Sequence, residues 1–220
     1  AEAVEILDNY TYGPLFTSPS VSVPGGNRGT ILRPSAGGGD NWMGAAVDPE
    51  SAVIYIPSSD SISVPVVVET DPEESSLRYR RISYGGTRGP RGLPLLKPPY
   101  STITAIDMNR GEILWQVPNG DRAPNVENNP ALEGIDLPPL GGGGRHPIVA
   151  TPNFLVHAQN YQDGSLQVAR DKATGEELGS IEIPARAIAA PIMYQAAGNQ
   201  YLVIAVLTEP APQLIAWKLP

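Results

Sequence analysis

A short pattern of alanine, aspartate, glycine and tryptophan recurs along this chain and constrains its fold more than any other feature. The full copy is AIDMNRGEILW, which runs from Ala105 to Trp115. A second copy, ARDKATGEELG, has Gly179 where the tryptophan would fall, and a third, AVDPESAVIYI, has Ala52 at the glycine position. The copies begin about 60 residues apart, a spacing that suits four-stranded propeller blades with long loops.

Each position of this pattern has a structural explanation. A strand ends in the aspartate, whose carboxylate can accept hydrogen bonds from backbone N–H groups of the following turn. The glycine supplies the positive φ that the turn requires, and the tryptophan on the next strand packs against the neighbouring blade. Asp48, Asp107 and Asp171 are therefore predicted to form turns and not to act as catalytic carboxylates.

The rest of the composition favours an all-β fold. The 220 residues include 23 glycines and 24 prolines, which favour many short elements joined by turns. Apolar runs rich in Val, Ile, Thr and Tyr, such as VPVVVET, STITAID and QYLVIAV, are bounded by turn residues and predict strands. Only AEAVEILDNY indicates a helix. We therefore expect antiparallel four-stranded β-propeller blades.

Charge and cysteine content exclude several classes of function. With a net charge of −8, the chain lacks the excess of basic residues that a nucleic-acid-binding protein needs. The absence of cysteine excludes disulfides and cysteine-ligated zinc. One local run, LRYRRISYGGTRGPRG, is basic. We interpret it as a solvated loop balanced by Asp71, Glu73 and Glu74, with contact to a ligand or partner as the alternative. No apolar run reaches membrane-spanning length.

The repeated pattern resembles the tryptophan-docking repeat of quinoprotein dehydrogenases, which are eight-bladed β-propellers that bind pyrroloquinoline quinone (PQQ). The resemblance extends over nearly the whole chain and includes YGPLFTSPS, GGGDNWMGAAVDPE and KPPYSTITAID in order. It is strongest to the C-terminal portion of the branch similar to membrane glucose dehydrogenase. Residues 1–220 are accordingly interpreted as the C-terminal part of a single propeller domain.

The resemblance implies that Asn41 and Trp42 bind PQQ, with the asparagine hydrogen-bonded to the quinone. The residue types suit this role, because an amide both donates and accepts and an indole offers a flat apolar face. The preceding glycines would let the backbone approach the ligand closely. The alternative is structural: Asn41 caps a turn and Trp42 packs between blades.

The family's calcium ligands and catalytic aspartate lie in N-terminal blades that this chain lacks. At about 45–60 residues a blade, the chain supplies three to four blades and an eight-bladed ring needs roughly twice as many. The catalytic residues are therefore unknown, no metal ligand is assigned here, and Ca²⁺ is expected to bind outside this chain. Incomplete blades also predict that the isolated chain aggregates or oligomerises.

The implied activity is oxidation of a sugar or other alcohol by PQQ, with electrons passed to a quinone or cytochrome. The implied location is the periplasm, with membrane association through a missing N-terminal region as a further possibility. A non-catalytic propeller that uses the repeat as a protein-binding scaffold is the alternative, although such a scaffold has no need of GGGDNW. A third hypothesis is a degenerate member that folds without binding the quinone.

Three further side chains could carry chemistry. His146 follows the four-glycine run Gly141–Gly144, and it either opens onto the pocket near substrate or cofactor or lies in an ordinary loop. His157 lies in a predicted strand and is interpreted as structural. Lys97 precedes the best-defined strand and could reach an anionic ligand. The glycine run itself lacks the Gly-Lys-Ser/Thr of a phosphate-binding loop.

Overall fold

The computed structural model describes residues 1–40 and 44–219, and β-strands dominate these ranges. In chain order the strands are β1 (Ala46–Asp48), β2 (Val53–Ser59), β3 (Val64–Glu69), β4 (Tyr79–Gly85), β5 (Ser101–Asp107), β6 (Glu112–Pro118), β7 (Ile148–Ala150), β8 (Phe154–Asn160), β9 (Ser165–Asp171), β10 (Glu177–Ile183), β11 (Arg186–Ala187), β12 (Ile192–Ala196), β13 (Asn199–Leu207) and β14 (Gln213–Lys218). The helices are α1 (Glu2–Leu7), within the run predicted to be helical, and the single turn α2 (Pro124–Glu127).

The chain divides into two compact units. The first comprises Ala1–Gly39, Asp60–Lys97 and Asn129–Glu133, and the second comprises Asp40–Ser59, Pro98–Asn128 and Gly134–Pro220. The first unit contains α1 and the antiparallel pair β3–β4. The interpretation of residues 1–220 as part of one propeller domain stays a prediction.

The second unit contains three four-stranded antiparallel sheets. Sheet 1 has the order β1-β2-β5-β6 and sheet 2 the order β10-β9-β8-β7. In sheet 3, β11 and β12 pair in succession along one edge of β13, and β14 pairs along the other. Within the described ranges these sheets do not close into a barrel, and their strand order is that of propeller blades. The all-β prediction is confirmed.

The core of the second unit lies between its sheets. Strand β8 is buried along both faces, because sheet 1 packs on one side of sheet 2 and sheet 3 on the other. Leu155 is fully buried in the cluster with sheet 1, and Ala158 lies in the cluster with sheet 3. Burial on both faces extends to polar residues of β8, since His157 and Gln159 are buried together with Leu155, Val156 and Ala158.

The first half of the basic run forms a strand, so its interpretation as a loop is wrong there, whereas residues 86–89 lie outside regular structure. Residues Tyr79–Gly85 are β4, and their side chains are mostly exposed. Its ion pair is also not one of those expected, since Arg78 contacts Glu69 on β3 at 3.5 Å. Asp71 instead accepts the backbone N–H of Glu73 within the intervening turn. Pairing with β3 satisfies the β4 backbone, while its exposed arginines remain solvated.

Candidate functional site

The three aspartates of the repeat form turns, as predicted. The Oδ1 atom of each accepts hydrogen bonds from the turn that follows its strand. The donors are the backbone N–H groups of Glu50 for Asp48, of Asn109 and Arg110 for Asp107, and of Ala173 and Thr174 for Asp171, at 2.8–3.1 Å. The glycine positions of the pattern all have positive φ, including Ala52 at 54°. These carboxylates are therefore used in the scaffold.

Asp48 has a second role, because its carboxylate also contacts Lys172 of sheet 2. The Lys172 Nζ atom lies 2.5 Å from Asp48 Oδ2 and donates to the Thr151 carbonyl at 3.1 Å. The hydrogen bond from Lys172, supported by one from Ser51, lowers the pKa of Asp48 to about 2. The contact joins sheets 1 and 2, and it was not predicted because the two residues are far apart in sequence.

Trp115 packs against the neighbouring blade, as the pattern predicts. Its indole Nε1 donates to the Lys172 carbonyl at 3.0 Å, and its ring lies 5.8 Å from the ring of Tyr55. Gly175 lies against the same indole: a Cβ atom there would be 2.8 Å from the ring. The tryptophan of one repeat thus contacts the lysine and glycine of the next repeat's turn.

Backbone and side-chain hydrogen bonds connect the three sheets to one another at one end. The Asn119 N–H donates to the Ser101 carbonyl, the Gly143 N–H to the Asn119 carbonyl, and the Asn160 N–H to the Gly143 carbonyl, all at 2.8–2.9 Å. The Asn160 side chain bonds both the N–H and the carbonyl of Ala187, at 3.0 and 2.9 Å. We call the surface defined by these five residues the loop edge.

The four-glycine run is a packing element of the loop edge. A Cβ atom on Gly141 would lie 2.4 Å from the Ser101 carbonyl oxygen, and one on Gly142 would lie 2.2 Å from that of Arg122. The backbone of this run therefore passes closer to its neighbours than any larger residue permits. Its lack of a phosphate-loop signature agrees with this structural role.

His146 lines a cavity at the loop edge, and its proximity to a substrate or cofactor stays a prediction. The cavity has a volume of about 180 Å³, and its walls include Arg186 and Leu207. The imidazole Nδ1 lies 3.5 Å from Asn160 Nδ2. Burial, with smaller effects of Arg186 and Arg145, lowers the pKa of His146 to about 4. The imidazole is therefore neutral at pH 7 and lies beside positive charge.

His157 is buried and structural, as predicted. Its Nε2 accepts a hydrogen bond from Arg170 Nε at 3.0 Å, and Arg170 also donates to the Gly175 carbonyl at 2.9 Å. Burial, reinforced by Arg170, lowers the pKa of His157 to about 3. A neutral imidazole thus orients the guanidinium that supports the turn under Trp115.

A second cavity, of about 330 Å³, is polar and lies where β8 ends. The Tyr161 hydroxyl donates to Gln159 Oε1 at 2.8 Å, and the Arg122 guanidinium lies 5.6 Å from the tyrosine ring centre. Arg122 also pairs with Asp163 at 2.5 Å. Burial, with nearby carboxylates, raises the pKa of Tyr161 to about 12, so its hydroxyl stays protonated at neutral pH.

The predicted cofactor-binding residues, Asn41 and Trp42, lie outside the described residues, and their role stays a prediction. Lys97 is exposed at the end of a segment of the first unit, and its contact with an anionic ligand also stays a prediction. Sequence reasoning missed Asn119, Asn160 and Arg186. No local pattern marks these residues, because their partners come from other sheets.

The described ranges contain neither a metal-binding cluster nor a membrane-spanning helix. No group of three or more His, Asp or Glu side chains there could hold a metal ion. No helix in those ranges is both long and apolar enough to cross a membrane.

The chain belongs to the family of PQQ-dependent glucose, ethanol and alcohol dehydrogenases, as part of its β-propeller domain. The family model described as "Glucose/ethanol/alcohol dehydrogenase, beta-propeller domain" matches residues 1–202. The resemblance noted in the repeat is thereby confirmed.

Relatives and solved structures agree with this assignment. The chain is 29% identical to a probable quinate dehydrogenase (quinone) of Xanthomonas campestris pv. juglandis and 28% identical to the quinoprotein glucose dehydrogenase of Escherichia coli K12, over 95% of this chain in each case. It covers 28% of the length of each. The quinohemoprotein alcohol dehydrogenase of Comamonas testosteroni shares the fold, with a TM-score of 0.51 and 17% identity over 80% of this chain and 24% of that chain.

Proposed function

We propose that this chain forms part of a PQQ-dependent dehydrogenase that oxidises a sugar or other alcohol and passes electrons to a quinone or cytochrome. The observation that carries the proposal is the family match over residues 1–202. The relatives include glucose, quinate and glycerol dehydrogenases, so the proposed substrate class is a sugar or other alcohol. Because the chain spans less than a third of these relatives, the activity is proposed for the full-length protein.

The loop edge is the proposed cofactor side of this chain. PQQ is a planar quinone that carries carboxylates, and when bound it accepts the electrons of the alcohol. The described residues fit such a polyanion, because the positive charges of Arg186 and Arg145 lie near His146 at this edge. The neutral imidazole can accept or donate one hydrogen bond beside them.

Asn41 and Trp42, which the sequence predicts to bind PQQ, are the second part of this proposal. They precede Ala46, the first residue of β1, by only a few positions. In the proposal Asn41 hydrogen-bonds the quinone, and Trp42 covers its apolar face. The side chains of this chain bind and orient the cofactor, while the catalytic base is expected in the missing N-terminal blades.

Calcium and the cellular location belong to the same proposal. Calcium would be held by residues outside this chain and would act as a Lewis acid on the quinone. We further propose a periplasmic location, with the remaining propeller blades as the structural partner of this chain. Family membership supports these proposals.

The proposal is tested on the full-length protein reconstituted with PQQ and Ca²⁺. Glucose, glycerol and quinate are offered in turn in a dye-linked dehydrogenase assay, and PQQ binding is measured by fluorescence titration. Asn41→Ala is expected to weaken PQQ binding about tenfold or more, because the proposed hydrogen bond to the quinone would be lost. Asn109→Ala, in an exposed turn, is the matched control and should bind PQQ normally.

Two results would contradict parts of this proposal. Unchanged PQQ affinity in Asn41→Ala would refute the site assignment while leaving the activity intact. A folded full-length protein that binds no PQQ would overturn the dehydrogenase proposal and favour the non-catalytic scaffold.

A further inference from the structure

Gly179 occupies the position in sheet 2 that Trp115 occupies in sheet 1. In the strand register Trp115 lies opposite Ala105, and Gly179 lies opposite Ala169, the equivalent residue of the next repeat. In sheet 1 an indole covers this position and packs near Tyr55. In sheet 2 the glycine leaves the position open, and a Cβ atom there would meet nothing within 4 Å.

A groove of about 370 Å³ lies at this position, between sheets 2 and 3. Sheet 2 supplies one wall and sheet 3, with the residue that follows β14, supplies the other. Almost all of the lining is apolar, from Phe154, Val156, Val168, Ala169, Ile181, Met193, Leu202 and Leu219. Both walls belong to the second unit, so the groove is formed by this chain alone.

Two polar residues, Gln167 and Ser180, line this apolar groove, and Gln167 brings a buried amide to it. Gln167 is 3% exposed, and among the described residues neither its Nε2 nor its Oε1 has a hydrogen-bond partner. A buried amide without partners is unfavourable, because it has lost its bonds to water without replacing them. The groove therefore combines an apolar wall with a free donor and a free acceptor on one residue.

We propose that this groove binds a planar aromatic small molecule that carries a hydrogen-bond donor and acceptor on one edge. The shape follows from the indole at the equivalent position of sheet 1, since that flat ring lies against the next sheet, where it contacts the turn that contains Lys172 and Gly175. The polar edge follows from Gln167, whose amide can pair with a lactam-like N–H and carbonyl. The inference does not depend on the proposed dehydrogenase activity.

The test uses 2-quinolinone as the probe and its N-methyl derivative as the matched ligand, with binding to the full-length protein measured by titration calorimetry. The N-methyl compound cannot donate to Gln167 Oε1, so it should bind about tenfold more weakly. Gly179→Trp should fill the groove and abolish binding of both compounds. Gly86→Trp, at an open glycine of the first unit, should leave binding unchanged.

A second variant keeps the test valid if Gly179→Trp fails to fold. Gln167→Met removes the amide at similar volume, and it should bind the two compounds equally. The proposal is overturned if wild-type protein binds neither compound at millimolar concentration, or if folded Gly179→Trp binds them as wild type does. It is also overturned if Gly179→Trp changes a dimer into a monomer in size-exclusion chromatography, since a second copy would then cover the groove.

Discussion

Gly175 shows how one residue can serve both a turn and an inter-sheet contact. Its φ of +77° suits glycine, and its α-carbon lies against the indole of Trp115. Gly111 has the same turn position in the preceding repeat, with a φ of +68° and no neighbour within 4 Å of an added Cβ atom. A comparison of Gly175 with Gly111 therefore separates the effect of backbone conformation from the effect of packing.

Gly175→Ala is expected to destabilise the protein more than Gly111→Ala. Both variants place a non-glycine residue in the left-handed region, at a cost of about 1–2 kcal/mol. Only Gly175→Ala also pushes a methyl group into the indole, which adds about 1–3 kcal/mol. Urea unfolding monitored by tryptophan fluorescence gives the comparison, and equal losses in the two variants would show that the Trp115 contact contributes little.

The low pKa values of the two histidines predict that the free energy of unfolding decreases in mild acid. Burial holds the pKa of His146 at about 4 and that of His157 at about 3, against 6.5 in the unfolded chain. Below pH 6.5 the histidines bind protons in the unfolded state but stay neutral in the folded state. Their contribution to the free energy of unfolding is therefore full above this pH and decreases as the pH falls. Each histidine should contribute up to about 1.4 kcal/mol per pH unit.

Urea midpoints measured from pH 7.5 to 4.5 test this prediction. In His146→Gln the histidine contribution to the pH dependence should be about half as steep, because His157 is then the only titrating histidine. A wild-type midpoint that stays constant between pH 7 and 5 would mean that both imidazoles protonate freely in the folded protein.

At the scale of elements, sheets 2 and 3 are joined by a side chain acting as a backbone clamp. The Asn160 amide at the end of β8 bonds both polar backbone groups of Ala187 in β11. Ala187 is 3% exposed, so water cannot readily replace these bonds. The clamp therefore holds the start of sheet 3 at the loop edge, beside the cavity of His146.

Asn160→Ala should accordingly destabilise the protein by about 2–4 kcal/mol, because two buried backbone groups lose their partners. Asn199→Ala is the matched control: its side chain bonds the Ala197 carbonyl in an exposed hairpin, and its loss should cost less than about 1 kcal/mol. Thermal unfolding of the two variants measures the difference. A similar melting temperature for both would show that the clamp is dispensable.

The strands were largely predictable from the sequence, with one instructive failure. STITAID, QYLVIAV and VPVVVET form strands β5, β13 and β3 because their β-branched residues suit a pleated, half-buried surface. The basic run containing Tyr79 was interpreted as a loop because its charges suggested full solvation. Those charges are indeed exposed, but pairing with β3 satisfies the backbone, and charge alone does not reveal such pairing.

At the scale of the whole molecule, the three sheets leave apolar surface and strand edges exposed. Strand β14 pairs on one edge with β13, and within the described ranges its other edge has no strand partner. Leu214 on β14 is 77% exposed, and Leu178 on β10 is 60% exposed. Unpaired strand edges and exposed apolar side chains favour association with other chains.

The 220-residue chain produced alone is therefore expected to aggregate or oligomerise, whereas the full-length protein should not. Light scattering coupled to size-exclusion chromatography measures the mass of each. A monodisperse monomer of the isolated chain with a sharp thermal transition would show that its exposed edges need no partner.

The sequence by itself determined the turns of the repeated pattern and the strands that flank them, because these depend on neighbouring residues. The aspartate, the positive-φ position and the strand propensities of each repeat act within about four positions of one another, as the bonds of Asp107 and Asp171 show. The docking of Trp115 was also predictable, since the pattern repeats in the adjacent blade.

Only the tertiary structure decided which distant residues meet. The close passage of Gly141–Gly143, the clamp of Asn160 on Ala187 and the contact of Lys172 with Asp48 join segments whose distance in space depends on blade packing. The groove beside Gly179 also exists only because two sheets face each other there. Local propensity acts along the chain, but a cavity or a buried hydrogen bond between blades depends on how whole sheets pack.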